Sequence, residues 1–384
     1  MRNRTGSQAS APVVRIWCAW AIGIVVTLAI GRATGAIGPP HGRVGGVLWP
    51  LWSWDYDLYR YVAHHWYTAD HVDPTYAFFP LWPALLWTAR PLSDWVVPEL
   101  VVVLATLAAF GGIAAASPSG RRLRIALTLA CWPGSFVLAL AYPDALAVAC
   151  GAWACVLAAR GKSAAAAGLA VVAAVARPPA FLLAIPLVAV SRARWVAAAP
   201  VAAAATVHVY FWARSGSPFA FARAQSNWHR GTASFGHWWD RISEHPLLLV
   251  GVAILALSLF VALSHFRSRA WLAPYVLLVP LVVLAARTGA TAVQVAQCAF
   301  VLPLAGILWT MGRSYRVWAL FASAVLALSL LSGSVQSFGR QALFAFPLLW
   351  VPAEGPSWLR TRPVVALALA SNVALCLTVT RWAP

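Results

Sequence analysis

The chain has 384 residues, of which 61% are hydrophobic and only 10% are charged, and its mean hydropathy is +0.75. This composition excludes a water-soluble domain with an ordinary polar surface. A net charge of +18 is compatible with nucleic-acid binding, but the basic residues form short clusters between apolar runs instead of a stripe or groove. Composition and charge therefore predict a membrane protein with no nucleic-acid partner.

Apolar runs long enough to cross a bilayer recur along the chain. A helix of about 20 apolar residues spans a membrane, and the first two such runs extend from Val13 to Gly31 and from Pro98 to Ser117. Arginines precede the first run and follow the second, which predicts a cytoplasmic N-terminus because basic residues favour the cytoplasmic side. Later basic clusters each follow a further apolar run and are also placed on the cytoplasmic side. They lie at residues 160–162, 192–194, 267–269, 313–316 and 360–362. In this topology every acidic residue except Glu354 lies on the outer side.

The alternation of apolar runs and basic loops predicts an all-α polytopic membrane protein. We expect a single integral membrane domain over residues 1–384, with about 11–13 transmembrane helices. The two short apolar runs that flank Arg177 are compatible with a tilted hairpin. The cysteines all lie in apolar segments without metal-ligand spacing and are interpreted as small hydrophobic residues.

Two long outer loops hold most of the polar residues. The first, residues 32–97, contains apolar residues at helical spacing that predict an amphipathic helix lying on the membrane, namely Leu58, Tyr59, Val62, Ala63 and Trp66. Residues 76–86 follow and are placed in the interface, because they are too short and too interrupted by prolines to span the bilayer. The second loop, residues 214–245, is dense in aromatic residues, which favour the headgroup level.

Asp55 begins the predicted amphipathic helix. A carboxylate at this position gains from the positive end of the helix and stays ionised beside the bilayer. One interpretation is that Asp55 only caps the helix, and the other is that it acts as a general base on an incoming hydroxyl. Asp57, His64 and His65 are rivals for the second role, but each also fits the solvated face of the helix.

Arg177 and Arg340 each lie at the predicted outer end of a helix, beside a Pro or Gly that bends the chain. An ionisable group at membrane depth is a candidate for function, and a guanidinium binds phosphate through charge-assisted, often bidentate hydrogen bonds. Arginine also snorkels to the interface with lipid headgroups as its only ligand, and that alternative stays open. Tyr142 and Asp144, in a tight turn between two spans, are suited to hold an arginine or a sugar hydroxyl, or they only form the turn.

At these positions the sequence resembles the PIG-V-type mannosyltransferase family, which comprises GPI mannosyltransferase II and its bacterial relatives within the GT-C superfamily. Four stretches carry the resemblance: Trp54-Asp55 with Tyr59 and Ala63; residues 77–83 (AFFPLWP); residues 216–220 (GSPFA) with Ala224, Gln225 and Trp228; and residues 337–340 (SFGR) leading to 345–347 (AFP). Arg177-Pro178, and Tyr142 with its following acid, fall between them in order. The matches extend from residue 54 to residue 347.

The resemblance implies a GT-C-like bundle that transfers mannose, with inversion, from a polyprenyl-phosphate donor to a lipid-linked or glycan acceptor. Asp55 matches the family's first-loop acid and would be the catalytic base. Arg177 and Arg340 would bind the donor phosphate, which is the leaving group, with no metal or other cofactor. The candidate substrate-binding residues are Trp54, Tyr59, His64, Tyr142, Asp144, Gln225, Trp228 and His229. The expected location is a bacterial plasma membrane with an extracytoplasmic active site, and the expected partners are the sugar donor, the acceptor and membrane lipids.

Three positions depart from the family's pattern. The family commonly has Gly where this chain has Tyr56, Glu where it has Asp144, and Tyr where it has Gln341. These departures leave open a noncatalytic homologue, because the loss of one aromatic residue from a sugar site can abolish productive positioning. A carrier or flippase for polyprenyl-linked sugars is another alternative. A carrier would place polar residues at mid-membrane on several spans, whereas here they gather at the predicted outer helix ends.

Overall fold

The computed structural model describes residues 11–37, 48–226 and 301–355, with short gaps at 54, 70–72, 93–94, 133, 302 and 332–337, together with residues 373 and 376. The structure is about 81% helical, and the described residues contain no strand. The all-α prediction is therefore confirmed for this part of the chain. Trp54, Trp228 and His229 fall outside the described residues, as does most of the second predicted loop.

The helices follow the predicted apolar runs and are joined by short turns of 3-10 helix. In chain order, those with both ends defined are α1 (Ala11–Ala33), α2 (Asp55–His65), α3 (Leu81–Ala89), α4 (Val96–Ala116), α5 (Arg122–Cys131), α6 (Asp144–Ala159), α7 (Ser163–Ala176), α8 (Ala184–Val190), α9 (Ala198–Ser215), α10 (Ala220–Ser226), α11 (Arg316–Leu331), α12 (Phe338–Ala342) and α13 (Trp350–Glu354). Residues 303–310, before α11, are also helical. The turns of 3-10 helix used below are Trp49–Trp52, Pro74–Ala77, Ser135–Ala139 and Pro178–Leu183. Local chemistry explains several of the boundaries. The end of α9, for example, coincides with Gly216, whose φ of +71° closes the helix in the left-handed region.

Within the described part of the chain, three stretches are long and apolar enough to cross a membrane: Ala11–Ala33, Val96–Ala116 and Arg194–Ser215, with 23, 21 and 22 residues. At about 1.5 Å of rise per residue, each reaches across a hydrocarbon layer of about 30 Å. The first two coincide closely with the spans predicted at the start of the chain. The described residues therefore have a membrane-like helical character, while the number of spans and their orientation remain predictions.

Helix α6 lies at the centre of the packing and is buried along most of its length. Its neighbours α4 and α7 approach closely because the contact surfaces are made mainly of Ala and Gly. A Cβ atom at Gly112 on α4 would lie 2.9 Å from the ring of Trp153 on α6, so only glycine leaves room for the indole. The same indole donates its Nε1 hydrogen to the carbonyl oxygen of Ala108 at 2.9 Å. This contact sets the spacing of α4 and α6.

The predicted amphipathic helix is confirmed as α2, but its apolar face packs on the protein and not on lipid. Tyr56, Tyr59, Val62 and Ala63 are all buried. The Tyr59 ring meets the Phe78 ring edge-on at 4.8 Å. The apolar face of α2 is therefore covered by the segment before α3, a partner that sequence periodicity cannot reveal, and the position of this helix at the membrane surface stays a prediction.

The chain leaves α2 through Trp66, which has a φ of +59° in the left-handed region. This conformation is uncommon for a bulky residue, and the indole is held there by a hydrogen bond from Nε1 to the Tyr210 hydroxyl on α9. A guanidinium hydrogen of Arg214, also on α9, is donated to the carbonyl oxygen of Tyr67 at 2.8 Å. These bonds fasten the segment after α2 to α9.

Helix α7 ends at Ala176, as the Arg177-Pro178 pair predicts. The residue before a proline avoids the helical region, and Arg177 accordingly has φ −145° and ψ 133°. The chain then turns through Pro178–Leu183 into α8. The break places the Arg177 side chain at the end of α7, where it is turned toward the start of α6.

Glu354, the acid predicted to lie alone on the inner side, ends α13. Its carboxylate accepts hydrogen bonds from the Ser117 hydroxyl and, at 2.5 Å, from the Tyr315 hydroxyl. Ser117 follows α4 and Tyr315 precedes α11. Glu354 thus joins three elements at the end of α4 that is remote from α2.

Candidate functional site

Asp55 is the first residue of α2, and its position is set by a buried tyrosine. The Asp55 backbone N–H donates to the Tyr142 hydroxyl oxygen at 3.0 Å. That hydroxyl in turn donates to the Ser53 carbonyl oxygen at 2.5 Å. Tyr142 has no exposed surface, so its phenol clamps the start of α2 from inside the protein.

Arg340, on the short helix α12, reaches Asp55 and Asp144 together. Its Nη1 lies 2.6 Å from the Asp55 Oδ2. Its Nε lies 3.0 Å and its Nη2 lies 2.9 Å from the Asp144 Oδ2. The guanidinium carbon is 4.5 Å from the centre of the Tyr142 ring, a cation–π contact. The residue that positions Asp55 therefore also supports Arg340.

Asp144 begins α6 and holds the second arginine as well. The Nη2 of Arg177 lies 3.3 Å from the Asp144 Oδ1. The two acids and two arginines, Asp55, Asp144, Arg177 and Arg340, form what we call the ion cluster. Asp144 is its most buried member, with 6% of its side chain exposed, and Asp55 is its most open member, with 22% exposed.

The ion cluster balances two negative against two positive charges, which makes its burial tolerable. Burial alone would lower the pKa of Arg340, but Asp144 and Asp55 outweigh that effect and raise the pKa well above its usual range. Burial raises the pKa of Tyr59 to about 12, with Arg177 and Arg340 acting in the opposite direction. Tyr59 is therefore a neutral phenol at physiological pH and is not suited to act as a base there.

A small cavity of about 10 Å³ adjoins the ion cluster. Room of this size accommodates about one water molecule. Asp144, Arg177, Arg340 and Gln341 line its polar side, and Pro179 and Phe344 contribute to its apolar side. Both arginines thus border the same small space, together with the carboxylate that pairs with them.

The predicted site residues divide into those that gather at the ion cluster and those that do not. Asp55, Tyr142, Asp144, Arg177 and Arg340 converge through the contacts given above, and Tyr59 lies one helical turn after Asp55 on the same face of α2. His64 is nine residues after Asp55, half a turn away, and is exposed. Gln225 is half-buried on α10, which packs against the turn Pro74–Ala77. Of the two predicted uses for Tyr142 and Asp144, holding an arginine is the one that the contacts bear out.

Tyr56, one of the departures from the family's pattern, faces away from the ion cluster. Its ring is fully buried and lies 5.3 Å from the ring of Trp95, which precedes α4. The guanidinium carbon of Arg60 lies 4.5 Å from the centre of the same Trp95 ring. Helix α2 therefore presents Asp55 and Tyr59 to the ion cluster and presents Tyr56 and Arg60 to α4.

Two features of the site were missed by sequence reasoning. The carbonyl of Ser53 accepts the Tyr142 hydrogen bond, and backbone acceptors leave no trace in a sequence. Asp144 was considered as a partner for an arginine, but its contact with both Arg177 and Arg340 was not predicted, although two arginines at membrane depth require acidic partners. A search for the acidic partner of each arginine would have linked Asp144 to both Arg177 and Arg340.

Comparison of the chain with models of known families, with curated proteins and with solved structures finds no match. The resemblance to the PIG-V-type family therefore rests on the motifs alone. Among the described residues, no three His, Cys, Asp or Glu side chains come together as a metal site would require.

Proposed function

We propose that the chain is an inverting mannosyltransferase that uses a polyprenyl-phosphate-mannose donor. In this proposal the described helices belong to a GT-C-like bundle of about 11–13 transmembrane helices, and the site opens to the outer face of a bacterial plasma membrane. The acceptor is a lipid-linked or otherwise exposed glycan. The observation that carries the proposal is the ion cluster: a partly exposed carboxylate, Asp55, beside two buried arginines.

The reaction requires one base and one cationic site. Asp55 takes the proton of the acceptor hydroxyl as the hydroxyl oxygen bonds to C1 of the sugar. The bond between C1 and the phosphate oxygen breaks, and its electron pair leaves with the polyprenyl phosphate. Arg340 and Arg177 stabilise the charge that develops on this leaving group. Attack on the face opposite the leaving group inverts C1.

The membrane-like helices support a lipid-linked donor. A polyprenyl chain has to remain in hydrocarbon while its phosphate reaches the protein, and the arginines supply a polar end point beside apolar helices. Arg177 and Arg340 have 17% and 11% of their side chains exposed, so part of each guanidinium-bearing side chain stays accessible to a phosphate. This supports a substrate with one apolar and one polar end.

The first test is mannosyl transfer by the purified full chain in lipid, with a synthetic polyprenyl-phosphate-mannose as donor and membrane lipids as acceptors. We expect Asp55→Asn to lower kcat by at least about 100-fold, because a general base contributes about 10² to 10⁴ in rate. Asp57→Asn removes the same charge two residues away. Asp57 is 78% exposed and lies 4.0 Å from Arg60, so this control should keep its activity.

The carrier alternative makes the opposite prediction in the same vesicles. If the wild-type protein moves intact donor across the bilayer and the Asp55→Asn variant does so equally well, the protein is a carrier and the proposed transferase function is wrong. Loss of transfer in Asp55→Asn alone, with the donor still bound, supports Asp55 as the base.

A further inference from the structure

Asp55 and the donor phosphate need the same atom of Arg340. The Nε of Arg340 donates to Asp144 at 3.0 Å, and Nη1 lies 2.6 Å from Asp55. The Nη2 lies 2.9 Å from the same Asp144 oxygen, but it is buried and makes no hydrogen bond. A guanidinium binds phosphate most strongly through two donors at once. Because Nε is bonded to Asp144 and Nη2 is buried beside it, Nη1 is the donor that an incoming phosphate can take over.

Of the two acids, Asp55 is the one that an anion can displace. Asp144 contacts both arginines and is 6% exposed, so its departure would take the partner in the ion cluster from Arg177 and one of two partners from Arg340, which is costly. Asp55 has a single partner among the ion cluster and is 22% exposed. Its carboxylate can therefore exchange Arg340 for solvent or for an acceptor hydroxyl.

Charge balance points in the same direction. The ion cluster is neutral when empty, and a phosphodiester brings one negative charge. If the phosphate takes over Nη1 and Asp55 moves to solvent, the two arginines again face two negative charges, on Asp144 and on the phosphate.

We propose that the donor phosphate and the Asp55 carboxylate compete for the Nη1 of Arg340, so that donor binding releases the general base. This inference rests on the proposed function and adds the order of events within the site. Arg340 then has two roles: it binds the phosphate, and it couples donor binding to the release of Asp55. In the empty protein the Asp55 carboxylate is held on Arg340, so it is not free to accept a proton from an acceptor hydroxyl until a donor is present.

Competition is reciprocal in free energy, which gives the inference a binding test that needs no sugar transfer. The probe is farnesyl phosphate, which has a prenyl chain and a phosphate but no sugar, titrated into the full chain in lipid nanodiscs by calorimetry. Asp55→Asn removes the competing charge but keeps the shape of the side chain, and we expect it to bind the probe about tenfold more tightly than wild type. This corresponds to the lower end of the range for a hydrogen bond to a charged group.

Asp57→Asn is the matched control for long-range charge. It makes the same change in net charge on the same helix, so its affinity should stay at the wild-type value. The gain in Asp55→Asn should also persist at about 0.5 M salt, where interactions beyond a few ångströms are screened. Arg340→Gln should lose binding with either residue at position 55. If Asp55→Asn does not fold, Asp55→Ser serves in its place, because serine is also favoured at the start of a helix.

The outcomes separate this inference from the proposed function. Probe binding by wild type with no gain in Asp55→Asn, or with a gain that vanishes at high salt, overturns the competition and leaves the phosphate site standing. No binding by any variant overturns the phosphate site, and the competition falls with it. A gain in Asp55→Asn alone that depends on Arg340 supports both.

Discussion

At the level of single residues, the site depends on one phenol that does two things. The hydroxyl of Tyr142 holds the backbone of Asp55, and its ring lies under Arg340. Sequence motifs identified Tyr142 as a candidate but not its role, since both roles require segments from distant parts of the chain to meet. Asp55 and the two arginines were predicted because charged groups at membrane depth stand out in an apolar sequence.

Tyr142→Phe separates these two roles, because it removes the hydroxyl and keeps the ring. The Ser53 carbonyl and the Asp55 N–H lose their partner, and an unsatisfied buried group costs about 1–3 kcal/mol. We expect a lower midpoint of thermal unfolding and a kcat lower by about tenfold, with the KM for the donor nearly unchanged because Arg340 keeps its support. Both quantities are measured on the purified protein in lipid.

Tyr61→Phe is the matched control, because Tyr61 lies on the same helix and is 45% exposed. It should behave as wild type. If Tyr142→Phe is equally stable and equally active, the hydroxyl does not position Asp55.

At the level of elements, the sequence predicts where helices end better than it predicts how far they are buried in the protein. The end of α7 follows from the Arg177-Pro178 pair, because the conformational limit is local. The burial of α2 does not follow from its own residues, because Tyr59 is covered by Phe78 from another segment. Close helix packing likewise depends on pairs such as Gly112 with Trp153, and no single position in a sequence marks such a pair.

Gly112→Ala tests the contact between α4 and α6. The added methyl group would lie 2.9 Å from the Trp153 ring, and overpacking costs about 1–3 kcal/mol. We expect a lower midpoint of thermal unfolding in lipid or detergent. Gly168→Ala on α7 is the comparison, since a Cβ there meets nothing within 4 Å. Equal unfolding midpoints for the two variants would show that the Trp153 indole moves aside without a loss of stability.

At the level of the whole molecule, α4 separates two polar sites. Tyr56, next to Asp55, packs on Trp95 at the start of α4, and Ser117 at its other end bonds Glu354. The 21 residues of α4 extend for about 31 Å, close to the thickness of the hydrocarbon layer. The sequence-based topology, in which Glu354 alone among the acids lies inside, stays a prediction. The total number of spans stays a prediction, because residues 227–300 lie outside the described part of the chain.

Single cysteines on either side of α4 test this topology. Asp57 and Ser119 are both exposed, and each is replaced by Cys in a background without the native cysteines. In sealed, right-side-out vesicles we expect a membrane-impermeant maleimide to label Asp57→Cys at once. Ser119→Cys should be labelled only after the membrane is permeabilised. Labelling of both from the same side would contradict a membrane-spanning α4.

The ion cluster also bears on how the chain is made. Asp144 and Arg177 belong to the neighbouring helices α6 and α7, so these opposite charges can pair as soon as both helices have left the ribosome. Arg340 is separated from Asp55 by 285 residues, and it emerges only near the end of synthesis. Until then the nascent chain carries one unmatched acid, and it becomes a neutral unit when α12 docks. Completion of the site therefore coincides with the last steps of insertion, and in a chain stopped before residue 340 the Asp55 carboxylate would lack its arginine partner.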